Sequence, residues 1–393
     1  MEIQNATLAS LSVDSRGSYG ISASAVDRSE DLYTYLRITD IRDDGTLNTN
    51  DMKSVDDKKA EQYLLKPNDI VFARTGASTG RNYFYDGTDG ELVYAGFLIK
   101  FSIDPEKVNP KYIKYYCLSD AYKGWIHSFN TGSTRGNINA RTLGEMPVPI
   151  PPRAQQDGTV AILSSLDEKI RKNAEINKNL EQQAQTIFTE EFLFLDGVPE
   201  GWSKSSLLGI ANYLNGLAMQ KFRPSDDEQG LPVLKIKELR QGSCDANSEL
   251  CSPSIKPEYI VHDGDVIFSW SGSLLVDFWC GGTCGLNQHL FKVTSSEYAK
   301  WFYFAWTNHH LQKFAAIAAD MATTMGHIKR EELAKAEVLI PSQSDYDRIG
   351  GILAPLYDLV IANRIENRKL ASLRDELLPQ LMSGQLDVSE VSL

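Results

Sequence analysis

The sequence of 393 residues predicts an α+β protein. Two similar α/β modules are separated by two long helices, and the helices form an intramolecular antiparallel coiled coil that makes the chain pseudo-twofold. Three observations predict this. Segments of the first half recur, in the same order, in the second. One long helix is written twice, as "LSSLDEKIRKNAEINKNL" (163–180) and "LAPLYDLVIANRIENRKL" (353–370), each with leucine at its first, fourth and last places and asparagine at its eleventh and fifteenth. Each half also closes on an apolar run stopped by proline, "PVPIPP" or "VLIPS", just before its helix. The expected boundaries are 1–152 for the first module, 153–195 for the central helix, 196–341 for the second module and 342–393 for the C-terminal helix.

Taken in order, "YLRITDI" (35–41), "LKPNDIVFARTG" (65–76) and "GFLIKFSI" (96–103) have the short apolar or alternating runs of strands. Their counterparts are "VLKIKEL" (233–239), "IVHDGDVIFSWSG" (260–272) and "NQHLFKVT" (287–294), with Asp69 matched to Asp265 and Phe72 to Phe268. "NPKYIKYYCLSDAYKGWIHSF" has helical spacing at Ile113, Tyr116, Cys117 and Trp125, and "EYAKWFYFAWTNHHLQKFAAIA" is its partner. "GSTRGNINARTLGEMPVPIP" (132–151) then matches "ATTMGHIKREELAKAEVLIP" (322–341). Loops of unequal length on a shared scaffold account for the drift in spacing between copies.

The long helices carry a heptad seam. In the first it runs through Leu163, Leu166, Ile170, Asn173, Asn177, Leu180, Ala184 and Ile187; in the second through Leu353, Leu356, Val360, Asn363, Asn367, Leu370, Arg374 and Leu377. Buried asparagine costs stability unless it meets a polar partner, so it fixes register. Laid antiparallel, Asn173 faces Asn367 and Asn177 faces Asn363; the alternative is that each helix seeks another protein. At about 1.5 Å per residue the seam spans about 36 Å, close to one turn of B-DNA. The helices are therefore expected to space two reading heads.

The formal charge of -12 argues against a chain coated in nucleic acid, but not against a local basic surface. No apolar run is long enough for a membrane span and no signal peptide opens the chain, which favours a cytoplasmic location. Cys244, Cys251, Cys280 and Cys284 cluster near His262 and His289, but their spacing lacks two tight pairs. Thiols fit better than zinc, and no metal is expected.

Two polar loops per module carry the candidate contacts to DNA. In the first module these are Arg74, Thr75, Ser78, Thr79 and Arg81, then Ser133, Arg135, Asn137 and Arg141. Arginine suits guanine and phosphate, and asparagine suits adenine, because two hydrogen bonds fix their orientation. The alternative for the first loop is a glycine hairpin with surface arginines. In the second module the same places hold Ser269, Trp270, Ser271 and Ser273, then Thr323, Thr324, His327 and Lys329. Trp270 could equally be core. The same scaffold with different loop chemistry implies two different target sequences. No catalytic set is present: no N-P-P-[YF], no S-adenosylmethionine loop, no G-x4-G-K-[ST] and no nuclease cluster.

The two proline-stopped modules, the segment "GVPEGW" (197–202) and the C-terminal "LRDELLPQLMSGQL" (373–386) make the chain resemble, over nearly its whole length, the specificity (S) subunit of Type I restriction-modification systems. The resemblance implies two target recognition domains, each reading one half of a bipartite double-stranded DNA target, and a non-catalytic role. It implies helices that dock two methyltransferase (modification) subunits, with restriction/translocase subunits joining. S-adenosylmethionine, ATP and Mg are then cofactors of those partners, and this chain holds none. The first module lacks a counterpart of "GVPEGW", which leaves its first strand open. The competing class is a scaffold of two ligand-binding modules on a coiled-coil rod, without DNA.

Overall fold

The computed structural model describes residues 3–129, 137–320 and 328–391. The chain divides into two compact units: residues up to Asp167 together with those from Ser372 onward, and residues Glu168–Ala371. Each unit is thus a module plus a share of both long helices, rather than a module alone.

In the first unit, β1 (Gln4–Thr7) pairs antiparallel with β10 (Pro147–Ile150), which supplies the first strand. One four-stranded sheet has the order β2 (Ser18–Tyr19), β9 (Leu98–Ser102), β6 (Asp69–Ala73), β7 (Asn82–Tyr85). The other has β3 (Ala25–Val26), β5 (Lys53–Val55), β4 (Thr34–Leu36), β8 (Leu92–Tyr94), with β4 and β8 parallel. Phe72, Ile99, Phe101 and Tyr112 lie in the core behind the first sheet.

The second unit repeats the strand pair and the antiparallel sheet, and keeps a parallel pair in its other sheet, there central rather than at the edge. There β11 (Ser203–Ser206) pairs with β20 (Glu337–Ile340). One sheet has the order β12 (Asn212–Asn215), β19 (Leu290–Thr294), β16 (Val266–Ser269), β17 (Leu275–Phe278). The other has β14 (Leu250–Cys251), β13 (Leu231–Leu234), β18 (Cys284–Leu286), β15 (Ile260–Val261), with β13 and β18 parallel. The likeness extends to single residues. Ile21 bridges Ala95 as Leu217 bridges Asn287, both parallel. The glycine before each bridge is required by close approach: a Cβ on Gly20 would strike the Tyr94 carbonyl, and one on Gly216 the Asn287 carbonyl. Asp69 pairs with Lys100 at 3.0 Å, and Asp265 with Lys292 at 2.8 Å.

Two details differ from the sequence expectation. The ladders place Ile99 opposite Phe72 and Phe291 opposite Phe268, so "GFLIKFSI" and "NQHLFKVT" correspond one residue away from their expected alignment. In a strand a one-residue slip exchanges the faces, so Phe97 corresponds to His289. The strands expected over 35–41 and 233–239 also end early. The Asp40 carboxylate accepts from the Arg37 backbone N–H at 2.8 Å and turns the chain. Glu238 does the same for Lys235 at 3.3 Å and opens a helix.

The helices follow. In the first unit α1 (Pro110–Tyr116) and α2 (Asp120–His127) are separate, because the Ser119 side chain caps α2; α3 (Ala140–Gly144) precedes β10, and α4 (Arg153–Phe188) follows it. The second unit has two short helices, α5 (Leu207–Ile210) and α6 (Ile236–Gln241). Its α7 (Lys300–Asp320) is continuous where α1 and α2 are split, α8 (Arg330–Lys335) corresponds to α3, and α9 (Gln343–Met382) ends the fold.

The long helices α4 and α9 pack together, antiparallel. Within the first unit Leu163 shares a core with Leu378 and Leu381. Arg374, the seam's cation, meets Asp167 at 3.1 Å, and Lys114 reaches the same carboxylate at 2.8 Å. Burial works to raise the Asp167 carboxyl, but the two cations outweigh it and hold the group below its usual range. Residues past α9 dock on α4: the Gln155 side chain donates to the Leu386 carbonyl and accepts from the Val388 N–H, each at 2.8 Å. Within the second unit the four asparagines meet in pairs. Asn173 donates to the Asn367 carbonyl oxygen and Asn363 to that of Asn177, each at 2.8 Å. The remaining amides donate to the other helix's backbone, Asn177 to Val360 at 3.2 Å and Asn367 to Ile170 at 3.1 Å.

Candidate nucleic-acid interface

In the first module β6 runs straight into the loop 74–81. A short turn over Gly76–Ser78 is flanked by two glycines with positive φ, Gly76 at 75° and Gly80 at 88°. The loop is fastened from below: the Tyr122 hydroxyl donates to the Gly80 carbonyl at 2.6 Å, and the Thr79 hydroxyl to the Gly76 carbonyl at 2.8 Å. Arg81 is held by Asp43 at 2.6 Å, and Arg141 by Glu145 at 3.2 Å on α3. Ser78 lies in the turn, half-buried.

Arg74 is in a different situation. Its guanidinium carbon lies 5.1 Å from the centre of the Tyr19 ring, and its Nε is buried without an acceptor. Among the described residues no carboxylate pairs with it. It lines a cleft of about 680 Å3 together with Tyr19, Ile21, Tyr35, Arg37 and Phe97. Arg37 in that cleft is already neutralised by Asp40, at 2.7 Å and 3.0 Å. Arg74 is therefore the cation available there for an anionic or acceptor-rich ligand.

Backbone contacts join the two polar loops of each module. Thr75 bridges exposed Asn137, and the Ile138 N–H donates to the Arg74 carbonyl at 2.9 Å. In the second module the Ile328 N–H donates to the Trp270 carbonyl at the same 2.9 Å. Trp270 thus stands where Arg74 stands. It is half-buried; its indole N–H donates to the Asn215 side-chain oxygen at 3.0 Å, and its ring lies 6.1 Å from that of His289. Ser271 is buried, with its hydroxyl 3.3 Å from His289 Nδ1. Ser269 is also buried and spends its hydroxyl on the Ser271 and Ser273 carbonyls, at 3.3 Å and 3.0 Å, so it shapes the loop from within. Lys329 is exposed at the start of α8, and the Arg330 guanidinium donates to the Tyr213 carbonyl at 3.2 Å. Ser133, Arg135, Thr323, Thr324 and His327 lie outside the described residues.

Sequence reasoning passed over Tyr19, Phe97, Asn215 and His289. The usable signal was the glycine that follows Tyr19 and Asn215, and the register of β9 and β19 that aligns Phe97 with His289. The cysteines are free thiols, and among the described residues no group of three His, Cys, Asp or Glu is placed to hold a metal ion. Burial raises the Cys280 thiol to about 11. No described helix is long and apolar enough to cross a membrane.

With this geometry in hand, the chain can be set beside known proteins. The family model described as Type I restriction modification DNA specificity domain matches twice, over residues 23–182 and 199–374. The MjaIX specificity subunit of Methanocaldococcus jannaschii is 24% identical, over 74% of this chain and 72% of its own. The HindI specificity subunit of Haemophilus influenzae is 18% identical, over 92% of this chain and 97% of its own. Among solved structures, the S subunit of a Type I system from M. genitalium shares the fold, with a TM-score of 0.60, 14% identity and coverage of 97% of this chain and 96% of that one.

Proposed function

This chain belongs to the Type I restriction-modification DNA specificity family, which is non-catalytic, and from that premise we propose that each α/β module reads one half of a bipartite double-stranded DNA target. One observation carries the reading. Two modules built on the same four-stranded antiparallel sheet present different side chains, Arg74 and Trp270, at one loop junction, held there by the same backbone hydrogen bond. A chain serving one repeated ligand has no use for that divergence. Two different half-sites require it.

The paired helices then set the spacing between half-sites, and the four asparagines set the register of the helices. The two pairs form together at one stagger; a slip of one heptad separates them and leaves Asn177 and Asn367 facing leucine. The same helices dock two modification subunits, and restriction/translocase subunits join that assembly. S-adenosylmethionine, ATP and Mg act on those partners.

Expressing the chain with its modification subunit in a host without adenine methylation, and mapping modified adenine by long reads, tests this directly. A two-part motif that needs both chains is expected. A stable complex with no motif would favour the scaffold alternative, and DNA binding that ignores salt would count against phosphate contact. Lengthening both helices by one heptad should widen the gap between the halves; an unchanged gap would remove the ruler.

A further inference from the structure

The one-residue correction in register aligns a set of side chains that neither loop shows alone. Tyr19 ends β2 and Asn215 ends β12, each followed by a glycine under a carbonyl. Phe97 immediately precedes β9 and His289 precedes β19. Arg74 and Trp270 immediately follow β6 and β16. We propose that Arg74, Tyr19 and Phe97 in the first module, and Trp270, Asn215 and His289 in the second, are the specificity-determining contacts of their half-sites, the first set reading the edge of a guanine and the second a different base. This rests on the reading that the modules bind DNA.

The first set is built to present a fork of donors. Tyr19 holds the Arg74 guanidinium over its ring, while its hydroxyl accepts from the Ala140 N–H at 3.1 Å. One side chain therefore ties the arginine to both polar loops. The Arg74 N–H donates to the Phe97 carbonyl at 3.1 Å, which fixes the cation beside an aromatic ring that is 57% exposed. A planar cation with no carboxylate, positioned in advance, satisfies the two acceptors of a guanine edge; Phe97 is the apolar neighbour that shields those bonds from water.

The second set does the reverse. The one indole donor of Trp270 is engaged by Asn215, and the ring rests near His289 and, at 5.7 Å, near Phe291. The Ser271 hydroxyl holds His289 in place. At this position the module's indole donor is spent within the chain, so the second set presents no fork of donors to a guanine edge.

The test is the exchange of the set. The triple variant R74W/Y19N/F97H, expressed with the modification subunit in the methylation-free host, should lose its guanine at one position of one half-site and leave the other half-site as in the wild-type motif. Retention of that guanine at wild-type frequency would overturn the proposal. Should the triple variant fail to assemble, Arg74→Lys keeps the charge and loses the fork; it should lower modification of guanine-bearing sites about tenfold relative to substituted ones. Equal modification across sites in Arg74→Lys would overturn the proposal too. A wild-type chain that yields no two-part motif would instead sink the DNA reading on which this one rests.

Discussion

The loop after β6 and the loop after β16 begin from the same strand, are gripped by the same backbone hydrogen bond and present opposite chemistry. One offers a cation stacked on tyrosine, the other an indole whose donor is already used. Beneath them the glycines, the Asp–Lys pairs and the order of the sheet that carries the loop are held in common. The contrast teaches where each kind of constraint acts. Groups that touch carbonyls and strands have one solution, and it is written twice. Groups at the loop junction differ between the copies, and on the proposed reading they are the ones that meet the target.

The comparison breaks most severely at the two glycines. Gly20→Ala and Gly216→Ala should each cost about 3 kcal/mol, since the added methyl meets a backbone carbonyl that cannot step aside. Denaturant unfolding measures it. A cost under about 1 kcal/mol at one of them would mean that the scaffolds are not equivalent there.

Next comes the seam. Asn177→Leu strands the Asn363 amide and should cost about 1–3 kcal/mol. The double variant N177L/N363L should recover much of that loss, because two apolar side chains of similar size replace a buried polar pair. A double variant as unstable as the single one would show that the amides contribute stability rather than register alone.

A smaller, pH-dependent difference separates the units. Burial lowers the His309 and His310 imidazoles of α7 below their ordinary 6.5. A histidine whose folded value is depressed is neutral when folded, and the unfolded chain protonates first. Its stabilisation is therefore present above about 6.5 and lost as pH falls below it. The second unit should loosen before the first between pH 7 and pH 5, as hydrogen exchange of α7 against α1 and α2 would report. Equal loosening would put the acid sensitivity elsewhere.

The smallest effect is expected at Arg81. Its partner Asp43 has a side chain 85% exposed, so Arg81→Ala should change stability by no more than about 0.5 kcal/mol. A larger loss on thermal unfolding would show that the loop depends on that pair.

Much of the fold was legible in the sequence because repetition is a strong signal. The leucine and asparagine spacing indicated both helices, their direction and the partner of each asparagine, since a heptad seam admits few arrangements. The strand run at 35–41 misled because Ile38 and Ile41 continue an apolar pattern, while the deciding group, the Asp40 carboxylate, acts on a backbone N–H three residues back. The division into compact units cuts both helices, which follows from long-range packing rather than composition. Of the site, Arg74 and Trp270 were legible as loop residues, but Tyr19 and Asn215 were not. They approach from β2 and β12, far away in sequence, and only the sheet order brings them alongside.

The central claim is that each module reads its half of the target independently. Replacing residues 4–150 by the corresponding module of a relative with a different target, and mapping adenine modification with the same modification subunit, tests it most directly. The account predicts a motif in which one half is new and the other is the wild-type half. A motif changed in both halves, or in neither, would contradict it.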